Sequence, residues 1–157
     1  SFGSNFRMTE MQAAIGRRQL GKLPQWMAAR RRNAAMLDRG FAAILGLRIT
    51  RPAEGIGHAY YKYYAFVEPG MLAPGWDATR IGEAINAEGV PCFAGSCSEI
   101  YLERAFTDRG WGPAQRLPVA RQLGETSLMF MVHPTLGEAE MADTVGAVAK
   151  VMKAATR

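Results

Sequence analysis

The chain has 157 residues, 48% hydrophobic and 21% charged, with a formal net charge of +5. That length suits one domain, which buries roughly 68–70% of its unfolded surface and so folds without disulfides or a structural metal; the composition excludes a disordered tail. The longest stretch free of Asp, Glu, Lys and Arg is 12 residues, Thr126 to Gly137, against the about 20 a spanning helix needs.

No basic n-region and apolar h-region opens the chain, so no secretory signal is visible. Its start at Ser1 reads as a processed end or as a piece of something longer. Cys92 and Cys97 make no disulfide framework, and the expected compartment is the reducing cytosol. Residues 1–51 hold ten Lys/Arg against Glu10 and Asp38, while residues 52–157 hold nine against twelve acids. A basic half invites a nucleic-acid reading. Arg30, Arg31 and Arg32, however, fan over about 200° of a helix instead of forming one stripe. No aromatic residues interleave with them for base stacking, so no nucleic-acid partner is expected.

In chain order, Thr9 and Gln12 have capping-box spacing, and a helix should follow, with Met11, Ala14 and Ile15 on its apolar side and Gly21 as its stop. Pro24 suits the first turn of a second helix. Met27, Ala34, Leu37, Phe41, Ile44 and Leu45 form its buried face, and Gly46 closes it. Residues 47–50 read as a short strand. Residues 59–67, rich in tyrosine, give the clearest one. A Pro/Gly loop covers residues 69–75. Asp77 caps a helix through Glu88, with Ile81 and Ile85 four apart and Gly89 as its stop. Residues 90–93 form a short strand, and Ser96 with Glu99 makes a second capping box opening a turn or helix through Phe106. Pro118 begins a short helix ending at Gly124, and residues 126–132 form an apolar strand. Thr135 and Glu138 make a third capping box, before a final helix carrying Met141, Val145, Val148 and Met152 on one face. These elements assemble into an α+β domain over residues 1–157: a small antiparallel sheet covered by helices, led by two N-terminal helices spanning residues 9–46.

Chemistry is sparse. Cys92, Cys97, His58 and His133 are four possible metal ligands, but the C-x₄-C spacing is loose for zinc and no histidine pair lies within a helical turn, so no metal is expected. Cys97, with His58 or His133 as base, is one conceivable hydrolase, because a thiol at a helix N-terminus is activated. A free-standing basic interaction module is another reading. Gly3, Asn5 and Arg7 precede a capped helix, where backbone donors, an amide and a guanidinium can converge on a phosphate. The same residues also make an ordinary turn with a solvated arginine.

The run Gly3-Ser4-Asn5-Phe6-Arg7-Met8-Thr9-Glu10-Met11-Gln12-Ala13-Ala14-Ile15-Gly16 resembles the G-x-N-x-R-M-x-E-x-Q-A-A-I-G signature of the DegT/DnrJ/StrS sugar aminotransferases, pyridoxal-phosphate enzymes of fold type I. The resemblance continues through Gln19-Leu20, Leu23, Arg31-Arg32-Asn33-Ala34 and His58-Ala59-Tyr60-Tyr61. It takes in Gly95 to Tyr101, Leu117-Pro118 and His133-Pro134, so it spans nearly the whole chain. It implies the C-terminal small domain of such an enzyme, with the catalytic large domain absent. That large domain holds the Schiff-base lysine; Lys22, Lys62, Lys150 and Lys153 sit in no matching segment, so this chain has no catalytic residue and binds no pyridoxal 5′-phosphate alone. For the intact enzyme the resemblance implies amino transfer, typically from glutamate, to a nucleotide-linked keto sugar, in polysaccharide or antibiotic-sugar pathways. It also implies a homodimer with shared sites. Asn5 then matches a ligand of the partner chain's cofactor phosphate, and Arg7 and His58 match positions near the substrate. The Ser96 to Glu99 loop departs from the histidine-containing loop of many members.

Overall fold

Both halves of the first capping box close at the start of α1 (Glu10–Phe41). The Gln12 N–H donates to the Thr9 hydroxyl at 3.3 Å, and the Thr9 N–H to the Gln12 side-chain oxygen at 2.9 Å. The computed structural model describes residues 7–157, so Asn5 and the Gly3 turn lie outside the described residues.

The two expected N-terminal helices are one. α1 runs 32 residues without a break, through Gly21 and Pro24. Proline costs a helix interior about 3 kcal/mol and glycine about 1 kcal/mol. Stopping there would cost more, because four carbonyls before the break and four N–H groups after it would need new partners. Leu23, standing where a cap would stand, offers no side-chain oxygen. Only the second half of α1 joins the core, through Asn33, Ala34, Leu37 and Phe41. The expected buried face ends there: Ile44 is half-buried and Leu45 is exposed. Gly46 then turns the chain at φ +75°, where a Cβ would sit 2.8 Å from Thr156 Cγ2.

The sheet has the order β1-β2-β4-β3, all pairs antiparallel, with β1 (Leu47–Ile49), β2 (Tyr63–Val67), β3 (Cys92–Phe93) and β4 (Ser127–Phe130). The register sets Tyr63 opposite Phe130, and Ala65 opposite both Leu128 and Ile49. These side chains share one face. Against it pack α1, α2 (Ala78–Ala87, capped by Asp77) and α5 (Glu138–Ala155). Ile81 and Ile85 of α2 and Met141, Val148 and Met152 of α5 are buried in the common core. The Phe41 ring centroid lies 5.8 Å from that of Tyr63 and 5.1 Å from that of Phe130, tying α1 to the two central strands. α1 and α5 cross closely: a Cβ on Gly40 would meet Val145 Cγ2 at 2.3 Å. The other face carries Arg48 over Phe66, Tyr64 and Met129. It is partly covered by α4 (Pro118–Thr126) and by the excursion between β3 and α4, which holds the short α3 (Arg104–Thr107).

The α+β layout is the expected one, and several boundaries move. β2 begins at Tyr63, not at residue 59, because the carbonyls of Tyr60 and Tyr61 go to Arg30 instead of a ladder. Neither later capping box forms. The Ser96 hydroxyl pairs with Tyr64 Oη at 2.8 Å, and Glu99 faces Arg116 and Tyr101. The Thr135 hydroxyl goes to His133 Nδ1 at 2.8 Å, and α5 starts from Gly137, whose N–H donates to Glu140 at 2.7 Å. α4 continues past Gly124, which serves as a contact surface: a Cβ there would meet Ser98 Oγ at 2.2 Å.

Candidate functional site

Residues 50–62, joining β1 to β2, form a long connection of the kind that carries function on a rigid scaffold. Two residues of α1 hold it. Arg30 Nη1 donates to the carbonyls of Tyr60 and Tyr61, at 3.2 Å each. Two turns on, Asp38 accepts from Tyr63 Oη at 2.7 Å and faces Arg51 Nε at 3.7 Å. Burial, reinforced by the hydrogen bond to Asp38, pushes the Tyr63 hydroxyl well above the ordinary tyrosine range, so it stays protonated and donates. Tyr60 is raised by burial and then by the Asp38 charge.

Between these anchors the backbone is strained. Tyr60 has φ +46°, the one non-glycine residue in the left-handed region among the described residues; such conformations cost on the order of 1–3 kcal/mol and gather at functional sites. His58 is tied to the same turn. Its Nδ1 accepts the Tyr60 N–H at 3.2 Å, and the rings meet edge-on at 4.4 Å. The result is a cleft of about 280 Å³ lined by Arg51, His58, Tyr60, Lys62 and neighbouring residues.

His58 therefore lies in a cleft, whereas Arg7 is exposed ahead of α1 and does not line it. Glu10 and Arg30 are 20 residues apart on one continuous helix, which at 1.5 Å per residue separates the two ends of the candidate set by about 30 Å. Sequence reasoning missed Arg30, Asp38, Arg51 and Lys62. The available signal was the strand reading of residues 59–67, whose first two tyrosines, Tyr60 and Tyr61, fall in the connection while Tyr63 and Tyr64 pair in β2.

The excursion after β3 has its own polar centre. Arg116 donates through Nε to Glu99 Oε1 at 2.9 Å and through Nη2 to Oε2, Tyr101 Oη donates to Glu99 at 2.6 Å, and the Leu117 N–H donates to Tyr101 Oη. Arg116 and then Tyr101 hold the Glu99 carboxyl down at about 2.

The hydrolase alternative does not assemble. Cys97 is exposed, and its thiol is raised by a hydrogen bond to Glu103 at 3.4 Å, the reverse of the activation a nucleophile needs. His58 and His133 are each engaged within their own turns. Burial pushes the Cys92 thiol up to about 12. Among the described residues no three His, Cys, Asp or Glu side chains form a metal-holding group, and no helix is long and apolar enough to cross a membrane.

Comparison with known proteins agrees with this fold. The crystal structure of an aminotransferase from Psychrobacter cryohalolentis superposes with a TM-score of 0.89 at 49% identity, over 98% of this chain and 41% of that one. The L-glutamine:2-deoxy-scyllo-inosose aminotransferase of Streptomyces kanamyceticus is 32% identical over 96% of this chain, and the GDP-perosamine synthase of Caulobacter vibrioides 28% identical over 96%. The chain spans only 39% of the length of each of these two relatives. The model of the DegT/DnrJ/EryC1/StrS aminotransferase family matches residues 1–149, and the chain belongs to that family.

Proposed function

We propose that this chain is the C-terminal portion of a pyridoxal-phosphate-dependent aminotransferase that moves an amino group from glutamate to a nucleotide-linked keto sugar, in a homodimer with shared sites. The observation that carries the reading is the family match over residues 1–149, which opens on the Gly3 to Gly16 motif. The bound cofactor supplies an electron sink for making and breaking the carbon–nitrogen bond.

The lysines of this chain do not fit the pyridine-ring end of that cofactor. Lys150 is paired with Glu88 at 2.6 Å, Lys62 stands 5.7 Å from the Tyr61 ring centroid, and Lys22 and Lys153 are exposed. In this reading the ring and its lysine belong to the remainder of the longer protein. This chain's share is binding: Asn5 donates to the cofactor phosphate of the partner chain, while Arg7 and His58 face substrate. Such amination belongs to the building of aminosugars for polysaccharides or antibiotics, in the cytoplasm.

The test uses the protein carrying this chain together with its lysine-bearing domain. It is supplied with pyridoxal phosphate, glutamate or glutamine, and either a nucleotide-linked keto sugar or a free cyclic ketone, with products read by mass spectrometry. The expected result is an aminated nucleotide sugar with 2-oxoglutarate released. Amination of the free ketone alone refutes the substrate class; amination with glutamine alone refutes the donor. Shared sites are tested by mixing an Asn5→Ala chain with a chain lacking the catalytic lysine. Trans donation leaves one sound pocket per heterodimer and about half the native activity, whereas donation in cis gives no recovery.

A further inference from the structure

Tyr60, the left-handed residue of the β1–β2 connection, is held from both sides. Each peptide unit is planar, so φ and ψ of Tyr60 are the two rotations that separate its own N–H from its own carbonyl. The N–H donates to His58 Nδ1 at 3.2 Å, and the carbonyl accepts from Arg30 Nη1 at 3.2 Å. The same Nη1 also donates to the Tyr61 carbonyl at 3.2 Å, and the guanidinium carbon stands 5.7 Å from the Tyr61 ring centroid. A φ of +46° is disfavoured for tyrosine, so the turn persists only where its surroundings over-determine it. The bond to His58 lies within the connection itself. The bonds from Arg30 are charge-assisted and come from a half-buried side chain on a 32-residue helix. Among the described residues, Arg30 is the one side chain outside the connection that hydrogen-bonds its backbone. Releasing the Tyr60 carbonyl lets Tyr60 return to negative φ, which rotates its N–H away from the imidazole and frees the His58 ring to turn.

We propose that Arg30 is a positioning residue for His58, locking the Tyr60 peptide so that the imidazole keeps one orientation. Arg30 does not line the cleft, and its role runs through the backbone it holds. With Nδ1 taken by the Tyr60 N–H, neutral His58 carries its proton on Nε2, and the lock fixes where that donor stands. For its consequence in the reaction the proposal rests on the reading above, in which His58 faces the sugar. The lock itself is measured without substrate, so the two fail separately.

The experiment uses the intact protein, this chain together with its lysine-bearing domain, as wild type, Arg30→Met, Arg30→Lys and Arg31→Met. Arg31 is the neighbouring control, exposed and without a hydrogen bond or ion pair among the described residues. Hydrogen exchange is followed without substrate at the Tyr60 N–H and at the β2 amides. Arg30→Met should speed exchange at Tyr60 about tenfold and leave β2 unchanged, while Arg30→Lys, which keeps a cationic donor with three protons, should restore the protection. In the reaction, Arg30→Met should raise KM for the keto sugar about tenfold, the worth of one hydrogen bond, with KM for the amino donor unchanged and most of the loss recovered in Arg30→Lys. Should Arg30→Met not fold, Arg30→Gln, too short to reach both carbonyls, must show the same pattern. Unchanged exchange at Tyr60, faster exchange spread equally into β2, no rescue by lysine, or an equal loss in Arg31→Met overturns the assignment. A protein that aminates no keto sugar refutes the function proposed above, and the exchange measurement still decides the role of Arg30.

Discussion

One methyl group added to α1 should have opposite effects at two glycines. At Gly40 a Cβ would stand 2.3 Å from Val145 Cγ2 and 2.7 Å from Cγ1. Valine in a helix is held almost entirely in one rotamer, so the conflict resolves only by moving α5 away from α1. Overpacking of this kind costs about 1–3 kcal/mol, against which the better helix propensity of alanine returns about 1 kcal/mol. Gly40→Ala should therefore be destabilising by up to about 2 kcal/mol. At Gly21 nothing lies within 4 Å of the added carbon, so Gly21→Ala should stabilise by about 0.8–1 kcal/mol. Urea unfolding of both variants measures the difference, with unchanged m-values expected. A Gly40→Ala protein as stable as Gly21→Ala would refute the close crossing.

The Glu99–Arg116–Tyr101 cluster should loosen in acid. Glu99 titrates at about 2 in the folded chain instead of 4.5, so its contribution is complete above about 4.5 and is lost as pH falls toward 2. Hydrogen exchange at the Leu117 N–H, corrected for intrinsic rate, should rise over that interval and lose its pH dependence in Glu99→Gln; a flat wild-type profile refutes it. Iodoacetamide should modify Cys97 in the folded chain, more slowly than a free thiol, and Cys92 only after unfolding; equal rates at the two cysteines would contradict the burial of Cys92.

Local signals with one local partner were legible in the sequence. Thr9 and Asp77 cap their helices, Pro118 opens α4, and Ile81 and Ile85 face the core, all as their spacing predicts. Signals with a tertiary competitor misled. Ser96 and Thr135 have capping-box spacing, but their hydroxyls find Tyr64 and His133, partners that only the fold brings near. Gly21 and Pro24 look like punctuation, and the cost of uncapped ends outweighs them. The cleft was the least legible part. Arg30 reads as one of three surface arginines, yet it turns to carbonyls 30 and 31 residues away. Asp38 lies 25 residues from its tyrosine. His58 and Tyr60 carried a sequence signal, through the family motif His58 to Tyr61.

The unbroken helix bears on how a site could be shared. Arg7 stands three residues before α1, and Arg30, at the cleft, lies 20 residues beyond its first residue, about 30 Å along the axis. Even if the chain from Arg7 to Glu10 doubled back, three extended residues would recover only about 10 Å. A gentle bend at Pro24 changes this separation little, because both halves remain helical. The Arg7 and Arg30 backbones therefore stay about 20 Å apart or more. A continuous α1 is compatible with either trans or cis donation, so the mixed-chain experiment decides between them, and recovery of activity in the Asn5→Ala heterodimer is the expected outcome. Met11, Ile15, Leu20 and Leu23 are exposed along the first half of α1, apolar surface of the kind that marks interaction sites.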